Sequence, residues 1–324
     1  MPRTDPAALE SGELVLPATS ANLGPAFDAA ALAFSLYLRV RAEPSSEYSV
    51  AAKGRDAQFC GGGAENLILN TYREVLQSAG KQPAPLRLEV SNEIPIGKGC
   101  GSSAAARLAG IALAVRGDEL NWTGEQIIAE ASRREGHPDN AAACWLGGLA
   151  IARNAMAADG SPAVQAVKVA GTCPWPLLLA IPGEPLSTEE ARRVLPVQYS
   201  RADAVFNVQS AMFLLAGFTH ARSDLLRSAL HDRIHEPYRA PLCPLLPALR
   251  RQYGSDAGLA RARIAAVERC LWPGGAAAAP SDVLRVVTGP AYTPSAVQPA
   301  STAQRSMRGD RYVRAMLVGL QASR

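Results

Sequence analysis

The stretch Ile94–Gly110, IPIGKGCGSSAAARLAG, carries residue types that can hold a phosphate group. Glycine recurs at Gly97, Gly99 and Gly101, and glycine lets a backbone turn sharply and approach a ligand closely. Ser102 and Ser103 follow, either of them able to start a helix whose first N–H groups suit an anion. Two familiar phosphate loops do not fit. A Walker A loop sets its lysine directly before Ser or Thr, whereas Lys98 stands between glycines. A dinucleotide loop follows its strand directly and spaces its glycines as G-x-G-x-x-G. Here the third glycine falls at the wrong spacing and SNEIP intervenes. On this segment alone, a glycine-rich turn ahead of a buried helix stays an open reading.

A cradle of this kind has to be held by regular elements on both sides. LRLEVSNEIP reads as the strand that leads into it, and residues 103–115 as the helix behind it. Upstream, ELVLPATSANLGPAFD predicts a strand running into a Gly/Pro/Asn turn, and AALAFSLYLRVRAE a second strand. GGGAENLILNTYREVLQSAG is a loop followed by a helix with an apolar stripe and a glycine stop. GEQIIAEASRRE is another helix, and EGHPDN a polar break before the small-residue run AAACWLGGLAIA. CPWPLLLAIPGEPLSTEEARRVLP mixes a buried strand with a helix capped by Ser187 or Thr188. Helices at about 201–217 and 221–230 lead to HDRIHEPYRAPL.

A chain of 324 residues is long enough for about two domains at ~150 residues each. Its net charge of +4 is spread along the chain, without Lys/Arg runs interleaved with aromatics, so nucleic acid is not an expected partner. MPRTDPAALESGEL lacks the charged start and apolar core of a signal peptide, and no stretch of ~20 apolar residues would span a membrane. A cytoplasmic protein is expected, with no membrane partner. Cys60, Cys100, Cys144, Cys173, Cys243 and Cys270 are scattered without metal-ligand spacing, which points to reduced thiols.

The loop's company is more telling than the loop. PIGKGCGSSAAA resembles the central ATP-binding motif of the GHMP kinases, usually P-x-x-x-G-L-G-S-S-A, with Cys100 in place of Leu. LPATSANLGPAFDAAALAFSLY resembles the first motif of their homoserine kinase branch, with Ala26 where Gly is usual. EGHPDNAAACWLGGL, STEEARRVLP and HEPYRAPL resemble later segments of that branch, in the right order, across roughly residues 13–250. The resemblance implies an α+β, two-domain GHMP kinase fold. An N-terminal ATP-binding α/β domain would occupy 11–160, and a partial, ferredoxin-like α+β domain 161–255. An atypical tail would follow at 256–324.

The activity implied is Mg²⁺-dependent transfer of the ATP γ-phosphoryl group to the side-chain hydroxyl of L-homoserine. By resemblance, Pro95, Ile96, Gly97, Lys98, Gly99, Cys100, Gly101, Ser102, Ser103, Ala104 and Ala105 form the nucleotide loop. Lys98 reads equally as a solvated loop lysine. Asn66 lies where the purine belongs, or else starts a helix. Ser102 or Ser103 would reach Mg²⁺, which takes a carboxylate from Glu130 or Glu135. Arg192 and Arg239 match the arginines that contact the substrate, and Arg is suited to a carboxylate. Asn22 and Asp28 would hold the ammonium and hydroxyl end, with His137 and Asn140 completing the pocket. Asn140, Asp28 and Arg192 are the candidate catalytic residues. Because Asn140 stands where mevalonate kinases place an aspartate, no general base is expected, and Asp139 is expected to point elsewhere. A homodimer is compatible with the resemblance.

Two further readings follow from the far end of the chain. The family's third motif, G-[SG]-G-P, is not found; Gly289-Pro290 is only a fragment of it. Beyond about residue 255 the chain is dominated by Ala, Arg, Gly and Pro, as GC-rich DNA read in the wrong frame would be. A frameshift near residues 254–260 is therefore one expectation, and a genuinely diverged, partly disordered C-terminus is the other. The alternatives to an active homoserine kinase are another GHMP-type small-molecule kinase and a catalytically impaired binding protein.

Overall fold

The apolar run after Glu13 forms strand β1 (Glu13–Asn22), buried without interruption from Leu16 to Asn22. This computed structural model describes residues 12–62, 65–117, 120–170 and 188–242. It also describes the backbone of short strands at 177–180, 261–262, 283–286, 313–314 and 316–317. A tight turn carries β1 into β2 (Ala26–Pro44), and the two pair antiparallel from Glu13↔Arg41 to Asn22↔Ala26. β2 is long enough to serve two partners on its other edge. β4 (Leu86–Asn92) takes residues 38–44, and β5 (Leu149–Met156) takes residues 30–32, both antiparallel. β3 (Ser49–Gly54) lies parallel on β4, and β6 (Pro162–Ala170) antiparallel on β5, giving the order β3-β4-β2-β5-β6 with β1 paired to β2.

After α1 (Ala57–Cys60), four helices cover the sheet: α2 (Leu67–Ser78), α3 (Ser102–Gly117), α4 (Gly124–Glu135) and α5 (Asp139–Leu146). α3 is rich in alanine and packs so tightly on α2 that a Cβ on Gly110 would lie 2.4 Å from the Ile68 carbonyl oxygen. Val75, Leu76, Leu88, Ile94, Leu108, Ile111, Ile128 and Leu149 form the centre of the core. Each fully buried side chain of this size contributes about 1.5–3 kcal/mol. α4 starts with Thr123 accepting from the Gln126 N–H while the Gln126 side chain accepts from Thr123 N–H, and it ends at Gly136, with φ of 84°. Thus α4 matches its expected limits, and the polar break after it shrinks to residues 136–138, because Asp139 already belongs to α5.

The chain continues through α6 (Thr188–Arg193), α7 (Arg201–Thr219), α8 (Ser223–Ala229) and α9 (Glu236–Arg239). These helices are fastened back to the first turn. Asn207 on α7 donates to the Pro25 carbonyl (2.8 Å) and accepts from the Arg233 N–H (3.0 Å).

β3 and β6 are elements that the sequence reading did not anticipate. Ser49–Gly54 is exposed or half-buried throughout, so it lacks the apolar run that marks a strand. β6 carries the sheet on to Ala170, paired along its length with β5. Ser187, offered as the cap of α6, and the frameshift point at 254–260 lie outside the described residues.

Candidate active site

In the glycine loop, Gly97, Gly99 and Gly101 adopt φ of 69°, 75° and 70°, the left-handed region that alternation with larger residues reserves for glycine. Pro95 is buried, the Ile96 N–H is taken by Asp56 (3.0 Å), and Cys100 is 1% exposed. The Cys100 carbonyl accepts from the Thr19 N–H (3.0 Å), pinning the loop to β1. The last turn of the loop leans directly on Thr19, whose Oγ1 a Cβ on Gly101 would meet at 2.0 Å. The first N–H groups of α3 lack helical partners, and with the helix's partial positive end they suit phosphate oxygens. Ala104 and Ala105 stand behind this cradle. Both are fully buried, and the Ala105 N–H already donates to the Gly101 carbonyl (3.0 Å).

Of the two expected metal carboxylates, only Glu135 reaches the loop. Ser103 Oγ donates to Glu135 Oε1 at 2.6 Å, and Arg107 Nε meets the same oxygen at 2.6 Å. Ser102, beside them at the start of α3, is half-buried and makes no such bond among the described contacts. Glu130 is held instead by Arg133 and Arg134, one turn further along its own helix. Burial pushes Glu130 up, but the bonds from these two arginines outweigh it and hold the carboxyl below its ordinary range. Asn66 caps α2: its Oδ1 accepts from the Ile68 and Leu69 N–H groups, and its Nδ2 donates to the Cys60 carbonyl at 2.7 Å. These bonds fit the helix-start reading, and they leave one Nδ2 hydrogen unused among the described residues.

The residues expected to bind the acceptor gather at the β1–β2 turn. Asn22, Leu23 and Gly24 all have positive φ, and Asp28 follows at φ 54°. Asn22 Oδ1 accepts from the Asp28 N–H (2.7 Å), which sets the carboxylate in place. Arg192 of α6 grips Asp28 with two bonds, 3.0 and 2.7 Å. Arg239 of α9 is buried, donates from Nε to the Ala191 carbonyl (2.8 Å), and is lowered to about 10 by burial and then by Arg192. Arg193 is exposed, as a surface residue should be.

Phe27 sits among these cations. Its ring centre is 5.5 Å from the Arg192 guanidinium carbon and 5.1 Å from that of Arg239, and His235 stacks on it at 5.0 Å. His235 Nε2 lies 2.7 Å from the Gly24 carbonyl, so the neutral ring donates there and ties α9 to the turn. Burial keeps His235 below its ordinary value. Phe27, His235 and Thr19 are site residues that sequence reasoning missed. The single available signal was their place within the GPAFD, HEPYR and PATS segments.

At the start of α5, His137 Nδ1 pairs with Asp139 Oδ1 at 2.5 Å. Burial pushes His137 down, but the bond to Asp139 and the charges of Asp139 and Asp28 outweigh it and hold the imidazole above its ordinary value. Asp139 therefore does not point away. Asp28, His137 and Asp139 offer ligand atoms within 4.8 Å of one another, and Asp139 Oδ1 also accepts from the Asn140 N–H (2.7 Å). Asn140 in turn accepts from Thr19: Oγ1 donates to Oδ1 at 2.7 Å. The turn, the start of α5, Arg192 and Arg239 thus converge beside the phosphate loop.

Residues 66–148 match the model of the GHMP kinase N-terminal domain. The chain is 43% identical over 238 residues to homoserine kinase of Solibacter usitatus, covering 74% of this chain and 77% of that one. It is 37% identical over 240 residues to homoserine kinase of a Synechocystis species, covering 73% and 77%. The crystal structure of homoserine kinase from Cytophaga hutchinsonii shares the fold, with a TM-score of 0.60 and 23% identity over 75% of this chain and 78% of that one.

Proposed function

The chain belongs to the homoserine kinase family of the GHMP kinases, and we propose that the site described above phosphorylates the side-chain hydroxyl of L-homoserine with ATP. The observation that carries the amino-acid reading is the Asp28–Arg192 pair with Arg239 beside it. An amino acid is itself a zwitterion, and a fixed carboxylate next to two guanidinium groups is its complement. Among the described residues, Arg192 keeps donors that Asp28 does not use, and Arg239 keeps all but its Nε–H for a substrate carboxylate. Asp28 has lone pairs left for the substrate ammonium.

The glycine loop and the first turn of α3 bind the phosphates through backbone N–H groups. Ser103 and Glu135, a hydroxyl and a carboxylate with side-chain oxygens 2.6 Å apart, are an oxygen donor set that fits Mg²⁺. When bound, the ion would neutralise charge on the phosphates. Asn140, an amide, takes no proton near neutral pH. It orients the hydroxyl for in-line attack, and the proton passes to a phosphoryl oxygen or to water. Such transfer depends on positioning and charge stabilisation. No helix among the described residues is long and apolar enough to cross a membrane. The reading places the enzyme in the cytoplasm, with a homodimer as the assembly to look for.

The experiment is ADP release by the purified full-length chain over a panel of amino alcohols. Homoserine should be turned over far faster than homologues lacking either the carboxylate or the ammonium. Equal rates for substrates without a carboxylate would reject the amino-acid reading.

A further inference from the structure

We propose that Thr19 is a positioning residue that fixes which end of the Asn140 amide faces the acceptor hydroxyl, and so joins the phosphate loop to the acceptor pocket. The inference rests on the homoserine kinase reading and extends it to a side chain in neither expected site.

Thr19 is fully buried in β1, opposite Ala33 of β2. Three contacts leave it a single orientation. Its backbone N–H donates to the Cys100 carbonyl at 3.0 Å. Its side chain is closed in by Gly101, where not even a methyl group would fit. Its hydroxyl donates to Asn140 Oδ1 at 2.7 Å. An amide is planar, with an acceptor on one side and two donors on the other. Fixing Oδ1 on Thr19 therefore fixes Nδ2 as well, and among the described residues no protein group takes the Nδ2 donors.

The consequence for transfer follows from the direction of that bond. With Nδ2 presented, the homoserine hydroxyl oxygen accepts from Asn140, and its own proton is left to point at the γ-phosphoryl group. The hydroxyl oxygen then forms its bond to phosphorus as the bond from phosphorus to the β–γ bridging oxygen breaks. ADP leaves with that electron pair, and the hydroxyl proton passes to a transferred phosphoryl oxygen. An amide turned the other way would draw the hydroxyl proton to Oδ1 and set a second partial negative charge beside the incoming phosphate. Thr19 opposes that rotamer: its hydroxyl could accept from a turned Nδ2, but its own buried O–H would then lose the acceptor it has among the described residues. Because the same residue holds the Cys100 carbonyl, any shift of the loop is passed directly to the asparagine.

The test is steady-state kinetics on Thr19→Val, which keeps the shape against Gly101 and removes only the hydroxyl. kcat should fall about ten- to a hundredfold while KM for ATP and for homoserine each change less than about threefold. Thr19→Ser should recover kcat to within about threefold. In an Asn140→Ala background, Thr19→Val should have no further effect, because its partner is gone. Unchanged kcat in Thr19→Val, or losses that simply add in the double variant, would overturn the proposal. If Thr19→Val does not fold, Asn140→Asp tests the same point: it lacks the donors, so kcat should fall, and a rate at or above the wild type would sink the idea. Homoserine turnover by the wild type is the control; its absence rejects the activity, whereas an active wild type with Thr19→Val unchanged rejects the role of Thr19 alone. A crystal structure of Thr19→Val reads the amide without turnover, and the Asn140 side chain should lose its single orientation there. An unaltered orientation counts against the proposal.

Discussion

Between Gly97 and Ser103 the phosphate cradle is made of backbone, one continuous segment whose three glycines take the same left-handed conformation. The proposed acceptor pocket is made of side chains drawn from far apart: Asn22 and Asp28 from either side of the β1–β2 turn, His137 from the break before α5, Asn140 from α5, Arg192 from α6 and Arg239 from α9. The two kinds of site have opposite weaknesses. A backbone site survives the loss of most side chains but not the gain of a Cβ. A side-chain site tolerates small backbone shifts but not the loss of a charge.

The largest expected effect breaks the backbone side of that contrast. Gly101→Ala forces φ of 70° on a residue with a Cβ and drives that atom into a buried threonine. Its kcat/KM for ATP should fall on the order of a hundredfold, as steric strain of a few kcal/mol implies. Near-wild-type nucleotide kinetics would show that the loop has room that its geometry denies. Next comes the charge side. Arg239→Ala removes a charge-assisted contact worth ~1.5–3 kcal/mol, so KM for homoserine should rise roughly ten- to a hundredfold with KM for ATP unmoved. An equal rise for both substrates would mean that the two sites are not separable.

A smaller change sharpens the comparison. Phe27→Leu keeps an apolar body but removes the ring face beside Arg192 and Arg239, a contribution of ~0.5–2 kcal/mol. KM for homoserine should rise several-fold and Phe27→Tyr should restore it; if Leu and Phe are equal, the ring is only filler. The smallest effect is on stability. His235 folds with its pKa lowered from 6.5 by burial, so the unfolded chain gains a proton first as pH falls. The stability tied to its neutral form is present above about pH 6.5 and lost as pH drops through the lowered folded value. The melting temperature should therefore decline by a few degrees from about pH 7.5 to 5.5, and less so in His235→Gln. Parallel slopes for the two proteins would remove His235 as the cause.

That contrast also explains what was legible beforehand. The glycine loop and α4 could be read from the chain because their signals are local: alternating glycines, and a Thr–Gln cap with a glycine stop. β3 and β6 could not, because edge strands with half-exposed residues have little apolar pattern to show. Asp28, Arg192 and Arg239 were singled out by resemblance, while their mutual placement came from the structure alone. Asn66 and the choice between Glu130 and Glu135 turn on side-chain direction, which a one-dimensional pattern does not carry. Thr19 and Phe27 gave no signal beyond their place in the PATS and GPAFD segments, because they act on partners more than a hundred residues away.

Cys100 places a thiol in the middle of the nucleotide loop, where its relatives' motif usually has leucine. At 1% exposure, with burial raising it to about 12, that sulfur is neither ionised nor reachable. Cys144 is equally enclosed, and burial raises it too. Among the described cysteines, hydrogen peroxide and maleimides should therefore pass the loop by and act first at half-buried Cys60, which is the one of the three to carry a fluorescent label. Close packing thus lets the proposed phosphate loop carry a sulfur without making it an oxidant sensor.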